Sequence, residues 1–378
     1  MNKKKLLEQI QSCTDCLECF EKCDTYQVTQ DPLKSPQGRL KVAEKVFQNA
    51  DISDQELIAL YTCTLCGLCN LACDNNIPIA DIIHYAKIKL VELNKAPLEI
   101  HNEIIKGIIE NDNSVKGNPK ERLNWIPANY IAKEKFEENK TDTLLFLGCM
   151  SSFRVKESAS ASYEILKKGG YDFKILEKEP CCGEYVYSAG NLNLAKQIFN
   201  DNYTRFKKIG IKNIITTCGG CLYAFNNVYP KYIEDWDINV NHVIQIIYKL
   251  FQDGKIKFNK SDKEITYHDP CRLGRKLNNL KIYDEPRELL TQTLVKVNEL
   301  NNNQDLTPCC GAGSGIRGVD SNISIQIGKS ILDQAQNEEI ITSCPLCVFN
   351  YRYVNYKTQG NKKIRYITEF LLEMIGKD

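Results

Sequence analysis

Between residues 39 and 109, leucine, valine, isoleucine and phenylalanine recur at the three-to-four-residue spacing of amphipathic helices. The pattern predicts helices over Arg39–Asn49, Ser53–Tyr61, Ile79–Val91 and Pro97–Ile109, and Ser53 with Glu56 reads as a capping box opening the second. It lapses in a polar stretch, Asn111–Asp142, which reads as a linker that Trp125 and Pro127 pin to a neighbour. From Thr143 onward short apolar runs alternate with helical segments. Strands are expected at Leu144–Leu147, Phe173–Leu176, Ile211–Ile215, Ile265–Tyr267, Leu294–Val297 and Ile340–Ile341, and helices at Val155–Lys167, Asn193–Lys207 and Ser324–Asn337. Alternation of this kind argues a parallel sheet, whose ligand sites gather at the C-terminal ends of the strands.

The cysteines are distributed on the same plan. Two runs of CxxCxxCxxxC stand in the helical part: Cys13, Cys16, Cys19, Cys23, and Cys63, Cys66, Cys69, Cys73. Such a run supplies three thiolates to one 4Fe-4S cubane and its fourth to another. One cubane is therefore expected on Cys13, Cys16, Cys19 and Cys73, and a second on Cys63, Cys66, Cys69 and Cys23. Asp24 and Asp74 stand where proline usually follows the last cysteine. A zinc ribbon would need two distant CxxC pairs rather than three cysteines at i, i+3 and i+6. The 39 residues between Cys23 and Cys63 are too many for a compact β-type ferredoxin and, filled by two helices, point to an all-α one.

The α/β part repeats a five-cysteine set: Cys149, Cys181-Cys182-Gly183, Cys218 and Cys221, then Cys271, Cys309-Cys310-Gly311, Cys344 and Cys347. Gaps of 31 and 37 residues precede the two triplets, and 35 and 33 residues follow the second cysteine of each before its CxxC. Equivalent cysteines are offset by 122 to 128 residues, the mark of an internal duplication with a pseudo-twofold axis. Five thiolates exceed what tetrahedral zinc can use, and soft sulfur in this number selects iron–sulfur clusters over zinc knuckles or disulfides. The fold class expected is α+β and multidomain: an N-terminal α-helical two-cluster ferredoxin domain (1–110), a linker (111–142), and duplicated α/β CCG domains (143–255 and 256–378).

All 18 cysteines are thereby used, and thiolates destined for iron must stay reduced, which points to the cytoplasm. Lys and Arg number 49 against 48 Asp and Glu, so no global field recruits nucleic acid. The start of the chain has no signal-peptide core, and no apolar stretch is long enough to span a bilayer. Membrane contact is expected only through a partner, at the inner face.

Smaller signals are weighed against plainer alternatives. Gly313–Gly318 spells GxGxxG but follows a CCG triplet and lacks a ribose-binding acid about 20 positions on, so close backbone approach to a cluster explains its glycines better than a nucleotide. Cys218 and Cys221 match a redox dithiol, yet their repetition in Cys344 and Cys347 favours ligation. His268-Asp269-Pro270 precedes Cys271; an orienting histidine held by Asp269 competes with a proton donor to a leaving thiolate. Arg272, Arg275 and Lys276 could grip an anion, although such cations are usually solvated.

Two ferredoxin runs followed by two CCG repeats, with Ser35-Pro36-Gln37-Gly38-Arg39 and His268-Asp269-Pro270-Cys271, resemble the fused iron–sulfur subunit of heterodisulfide reductase and its relatives, the iron–sulfur subunits of glycolate oxidase and anaerobic glycerol-3-phosphate dehydrogenase. Many of those relatives carry His where this chain has Arg272. The resemblance covers Cys13 to Cys347. It implies a non-cubane 4Fe-4S cluster in each CCG repeat beside the two cubanes, and a catalytic subunit that reduces a disulfide such as that of coenzymes M and B. The ten CCG cysteines would then be catalytic ligands, with His268 beside them. It further implies a redox partner, a membrane cytochrome b or a flavoprotein. The alternative is an electron-transfer subunit serving a glycolate, lactate or glycerol-3-phosphate flavoprotein dehydrogenase, with no substrate chemistry of its own.

Overall fold

A computed structural model describes residues 3–131, 134, 136, 140–277 and 280–375; part of the expected linker, 132–133, 135 and 137–139, lies outside the described residues. Two compact units result. The first takes the chain up to Ile105 with Tyr185–Ala195 and Pro308–Ile331; the second takes Lys106–Glu184, Lys196–Thr307 and the chain from Leu332.

The first unit is helical. Helices Pro36–Gln48 and Ile79–Glu92 pack together around Leu40, Ala43, Val46, Ile79, Ile82, Ile83, Ala86 and Leu90. Each such side chain contributes about 1.5–3 kcal/mol by leaving water. Ser35 caps the first helix by accepting the Gly38 N–H, with Pro36 in the first turn where its missing N–H is harmless. The expected capping box forms: Ser53 and Glu56 satisfy one another's backbone N–H groups at the start of Asp54–Tyr61.

The second unit holds two parallel sheets. In one, β1 (Thr143–Phe146), β2 (Asn213–Thr216) and β3 (Asn239–His242) lie in the order β1-β2-β3. In the other, β4 (Glu264–His268), β5 (Lys296–Glu299), β6 (Glu339–Thr342) and β7 (Lys363–Tyr366) lie in the order β5-β4-β6-β7. The orders coincide once Phe173–Leu176 is set against β5, for its only pairing is one parallel bridge, Leu144 with Lys174. The expected strand there is thus reduced to a single bridge. β3 and β7 were not expected: each is four residues long, has a more exposed residue alternating with a buried one, and carries polar or charged residues at half or more of its positions. They are edge strands, for which a solvated face is the rule.

The duplication is visible in contacts within this unit. His242 ends β3 and Tyr366 ends β7, each begins a helix through a capping box, and the Tyr366 hydroxyl lies 3.3 Å from His242 Nε2. Equivalent residues that touch one another lie beside a pseudo-twofold axis.

Candidate metal centres

In each ferredoxin run the second cysteine is flanked by left-handed residues: Asp15 and Leu17 about Cys16, Leu65 and Gly67 about Cys66. Three of the four are not glycine, and such a conformation costs about 1–2 kcal/mol each. The strain wraps each loop about its own cavity. Cys13, Cys16, Cys19 and Cys73 line one. Cys23, Cys63, Cys66 and Cys69 line another. The last cysteine of each run thus stands at the other run's cavity, in the crossed arrangement that two like clusters require.

Arg39 is buried, its Nε donating to the Ala59 carbonyl at 2.7 Å, Nη2 to Thr62 Oγ1 at 3.2 Å and Nη1 to Cys23 Sγ at 3.8 Å. It brings a fixed cation and an N–H to a sulfur of the second cavity. Burial pushes the Cys23 thiol up to about 11 although Arg39 opposes the shift, and burial with Cys13 beside it pushes Cys19 up to about 12. These thiols hold their protons until a metal replaces them. The sequence flagged the segment that holds Arg39 without assigning the residue a role; its signal was a charge within the apolar face Leu40, Val42, Ala43.

The first five-cysteine set lies wholly in the second unit, and four of its thiols are joined by hydrogen bonds. Cys221 Sγ donates to Cys182 Sγ at 3.3 Å, and Cys181 and Cys221 bond the same thiol, which pulls Cys182 well below the ordinary thiol range. Burial raises Cys149, whose sulfur lies 3.3 Å from Ser114 Oγ. Gly148 adopts φ +72°, and a Cβ there would come within 2.9 Å of the Cys221 sulfur, so glycine is required. The turn is fixed from beneath by Glu179, which accepts the Leu147 and Gly148 N–H groups, each at 2.8 Å, and pairs with buried Arg122. Burial raises the Glu179 carboxyl against the pull of Arg122. Asn202 holds the Cys181 carbonyl at 2.8 Å and Tyr229 the Cys182 carbonyl at 3.2 Å. Ser114, Arg122 and Glu179 had no signal in the sequence, being far from the motifs they serve or lacking any pattern.

Of the second set, Cys271, Cys344 and Cys347 belong to the second unit, and Cys309 and Cys310 to the first. Cys344 accepts thiol hydrogen bonds from Cys218 and Cys347, which pull it well below the ordinary range. Cys218 and Cys344 are equivalent cysteines of the two repeats, so the two sets meet at this pair. Cys149, Cys218, Cys271 and Cys344 follow β1, β2, β4 and β6 by two or three residues, as expected of strand ends. The triplets do not: Cys309 lies ten residues beyond β5, and Cys181 follows no strand at all. Both are held by loops, in which Gly183 and Gly311, at φ +76° and +82°, each point their N–H at the sulfur two residues back, at 3.5 Å.

The remaining signals resolve differently. Asp269 is engaged by Arg287 through both carboxylate oxygens, at 2.8 and 2.7 Å, and by the Gln304 N–H. His268 is buried, with Nδ1 3.3 Å from Thr342 Oγ1 and its ring edge-on to Tyr351. Arg272 is not a solvated cation: it is largely enclosed, pairs with Glu184, and lies over the Tyr223 ring, while Arg275 Nη1 donates to the carbonyls of Asp305 and Thr307. In the GxGxxG loop, a Cβ on Gly313 would overlap the Thr64 carbonyl, and one on Gly315 would crowd Tyr185. Gly313 thus serves close packing against the second ferredoxin run, and Gly315 and Gly318 serve it against Tyr185 and Ile100.

Among the described residues no three His, Cys, Asp or Glu side chains are set around a single ion, and no helix is long and apolar enough to cross a membrane. Two four-thiol cavities and a five-cysteine set of which four thiols are hydrogen-bonded to one another fit clusters of iron and sulfide by donor chemistry and number.

Comparison with known proteins agrees. A family model described as a 4Fe-4S dicluster domain matches residues 9–77, and one described as a cysteine-rich domain matches twice, at 143–226 and 265–352. The chain is 28% identical over 98% of its length to a subunit of the dihydromethanophenazine:CoB–CoM heterodisulfide reductase of Methanosarcina mazei, covering 95% of that protein. It is 24% identical over 98% of its length to a subunit of the fumarate reductase (CoM/CoB) of Methanothermobacter marburgensis, covering 73% of it. Over 54% of its length it is 33% identical to the EtfAB:quinone oxidoreductase of Syntrophomonas wolfei, covering 30% of that chain. With a helical dicluster ferredoxin domain and two cysteine-rich repeats in one chain, the protein belongs to the CCG-domain iron–sulfur oxidoreductases related to this heterodisulfide reductase.

Proposed function

We propose that the protein is the catalytic subunit of a disulfide reductase, which draws electrons from a partner and splits a disulfide of two small thiols. The observation that carries this reading is the hydrogen bond between Cys218 and Cys344, where two equivalent thiol sets meet, an arrangement suited to a substrate that breaks into two like halves. Cys13, Cys16, Cys19 and Cys73 would hold one cubane and Cys63, Cys66, Cys69 and Cys23 the other. Cys149, Cys181, Cys182, Cys218 and Cys221 would hold one non-cubane cluster, and Cys271, Cys309, Cys310, Cys344 and Cys347 a second. When bound, these groups supply one-electron steps and iron for substrate sulfur.

The reaction consumes two electrons and two protons for each disulfide and yields two thiols. The chain's own residues hold the ligands and set the local field. Glu179 and Gly148 fix the Cys149 turn; Arg272 is kept cationic by Glu184 although burial opposes it, and so favours an anionic sulfur nearby. The packed setting of His268 supports orientation of the β4 end over proton donation. The partner proposed is a membrane cytochrome b or a flavoprotein, with the protein on the cytoplasmic side. The domains proposed are a ferredoxin domain over 1–110, a linker over 111–142, and two CCG domains over 143–255 and 256–378.

A second reading rests on the identity to the EtfAB:quinone oxidoreductase: a relay for a flavoprotein dehydrogenase. Anaerobically reconstituted protein decides between them. Oxidised protein is titrated with coenzyme M and coenzyme B separately and followed by EPR, and the mixed disulfide is then assayed with reduced viologen. A thiol-dependent signal and turnover support the reductase. Neither, in protein carrying its full iron, transfers the preference to the relay.

A further inference from the structure

Asp24 stands where proline usually closes a ferredoxin run. The backbone does not demand an acid there. Asp24 is the first residue of helix Asp24–Thr29, and Cys23 before it is extended, at φ −95° and ψ 102°, both of which proline accepts. Proline could not do what Asp24 does: its Oδ2 accepts the Cys309 N–H at 2.8 Å. A second contact in the same unit repeats the join, since Gly313, four residues on, lies so close to the Thr64 carbonyl that no Cβ fits between them. The CCG triplet of the second repeat is thus seated on both cysteine runs that form one ferredoxin cavity. The two triplets otherwise share their local geometry, with the same N–H to sulfur distance of 3.5 Å.

We infer that Asp24 is a positioning residue that holds down the reduction potential of the group bound by Cys309 and Cys310 and couples it to the group that Cys23 helps to bind. The inference rests on reading these cysteines as cluster ligands, and not on the disulfide. As an acceptor, the carboxylate turns the Cys309 N–H away from sulfur, where its positive hydrogen would stabilise an added electron. As a charge next to Cys23, it opposes that electron directly. The plain alternative is an acid at the positive end of a short helix, which would alter stability and leave potentials alone.

The whole chain, loaded with iron and sulfide, is titrated with dithionite in the presence of mediator dyes, and each EPR signal is assigned by its loss in Cys310→Ser, Cys66→Ser or Cys182→Ser. Asp24→Asn keeps an acceptor and removes the charge. It is expected to favour reduction of the Cys310-dependent signal about tenfold, or about 59 mV for a one-electron couple, and to move the Cys66-dependent signal the same way. Asp24→Pro is expected to move both further. The Cys182-dependent signal stays in place in both, and Asp74→Asn, the matching change in the other run, leaves the Cys310-dependent signal unmoved. Fully loaded Asp24→Asn and Asp24→Pro proteins with an unmoved Cys310-dependent midpoint overturn the inference, as does an equal shift of the Cys182-dependent signal. If both variants lose iron from the second set, Asp24→Glu must restore it for the positioning role to stand. No disulfide enters this titration, so its outcome is independent of whether the protein cleaves one.

Discussion

The two CCG repeats carry the same five cysteines and the same strand order, yet different acids support them. In the first, buried Glu179 grips the turn before Cys149 and pairs with buried Arg122. In the second, Asp269 lies just before Cys271 and is clamped by Arg287, which Glu299 also holds. The triplets differ as well, for Cys309 has its N–H on Asp24 of the helical unit. Ligand positions cannot drift without losing the metal, because coordination fixes them. A supporting acid need only be paired somewhere nearby, so after duplication it was free to move.

The largest test asks whether both repeats are needed. Cys182→Ser and Cys310→Ser are each expected to lose about 4 of about 16 iron atoms and at least about a hundredfold in viologen-driven turnover, measured by iron analysis and steady-state assay. If one of the two kept full turnover, the symmetric reading would be broken.

Next come the supporting acids. Glu179→Ala leaves the Arg122 guanidinium buried without its partner, a loss expected to cost about 3–5 kcal/mol. Asp269→Asn keeps an acceptor and leaves Arg287 paired with Glu299, for an expected cost of about 1–3 kcal/mol. Urea denaturation of the two variants under the same conditions ranks them, and equal costs would mean that the two supports are interchangeable.

The third effect is a difference in acid sensitivity. Burial pushes His242 of the first repeat down to about 4, whereas the equivalent position of the second holds Tyr366, which does not titrate in that range. A histidine depressed in the folded state contributes stability that is present above its ordinary value near 6.5 and is lost as pH falls towards 4. Thermal denaturation between pH 7 and pH 5 should therefore show a fall that His242→Gln flattens. An unchanged slope in that variant would place the acid sensitivity elsewhere.

The smallest effect is expected from Ser114→Ala, which removes the hydroxyl 3.3 Å from the Cys149 sulfur. A cost of about 1 kcal/mol or less is expected, read as a small change in denaturation midpoint with iron content retained. Loss of iron from the first set would instead make Ser114 part of the ligand support.

Much of this was legible in the chain. Helical periodicity located Pro36–Gln48, Asp54–Tyr61 and Ile79–Glu92 to within a few residues, because each buries one apolar stripe. β1, β2 and β6 were legible because strands buried on both faces read as continuous apolar runs. β3 and β7 were not, since four alternating residues on a sheet edge carry too little pattern. Adjacency misled at Asp269, where the neighbour His268 was the expected partner and Arg287, 18 residues on, is the actual one. The cation Arg272, like its neighbours Arg275 and Lys276, read as solvated because nothing in the sequence places Glu184 beside it.

The sequence alone determined the kind of chemistry. The number, softness and spacing of 18 cysteines admit iron and sulfide and little else, and these are local properties that survive in one dimension. The tertiary structure decided which charges act on those cysteines: Arg39 on Cys23, Glu179 beneath Cys149, Asp24 on the Cys309 amide, and the meeting of Cys218 with Cys344. Each is a contact across many residues of chain. Electrostatic and hydrogen-bond energies depend on distance and burial in space, and neither quantity exists until the chain has folded.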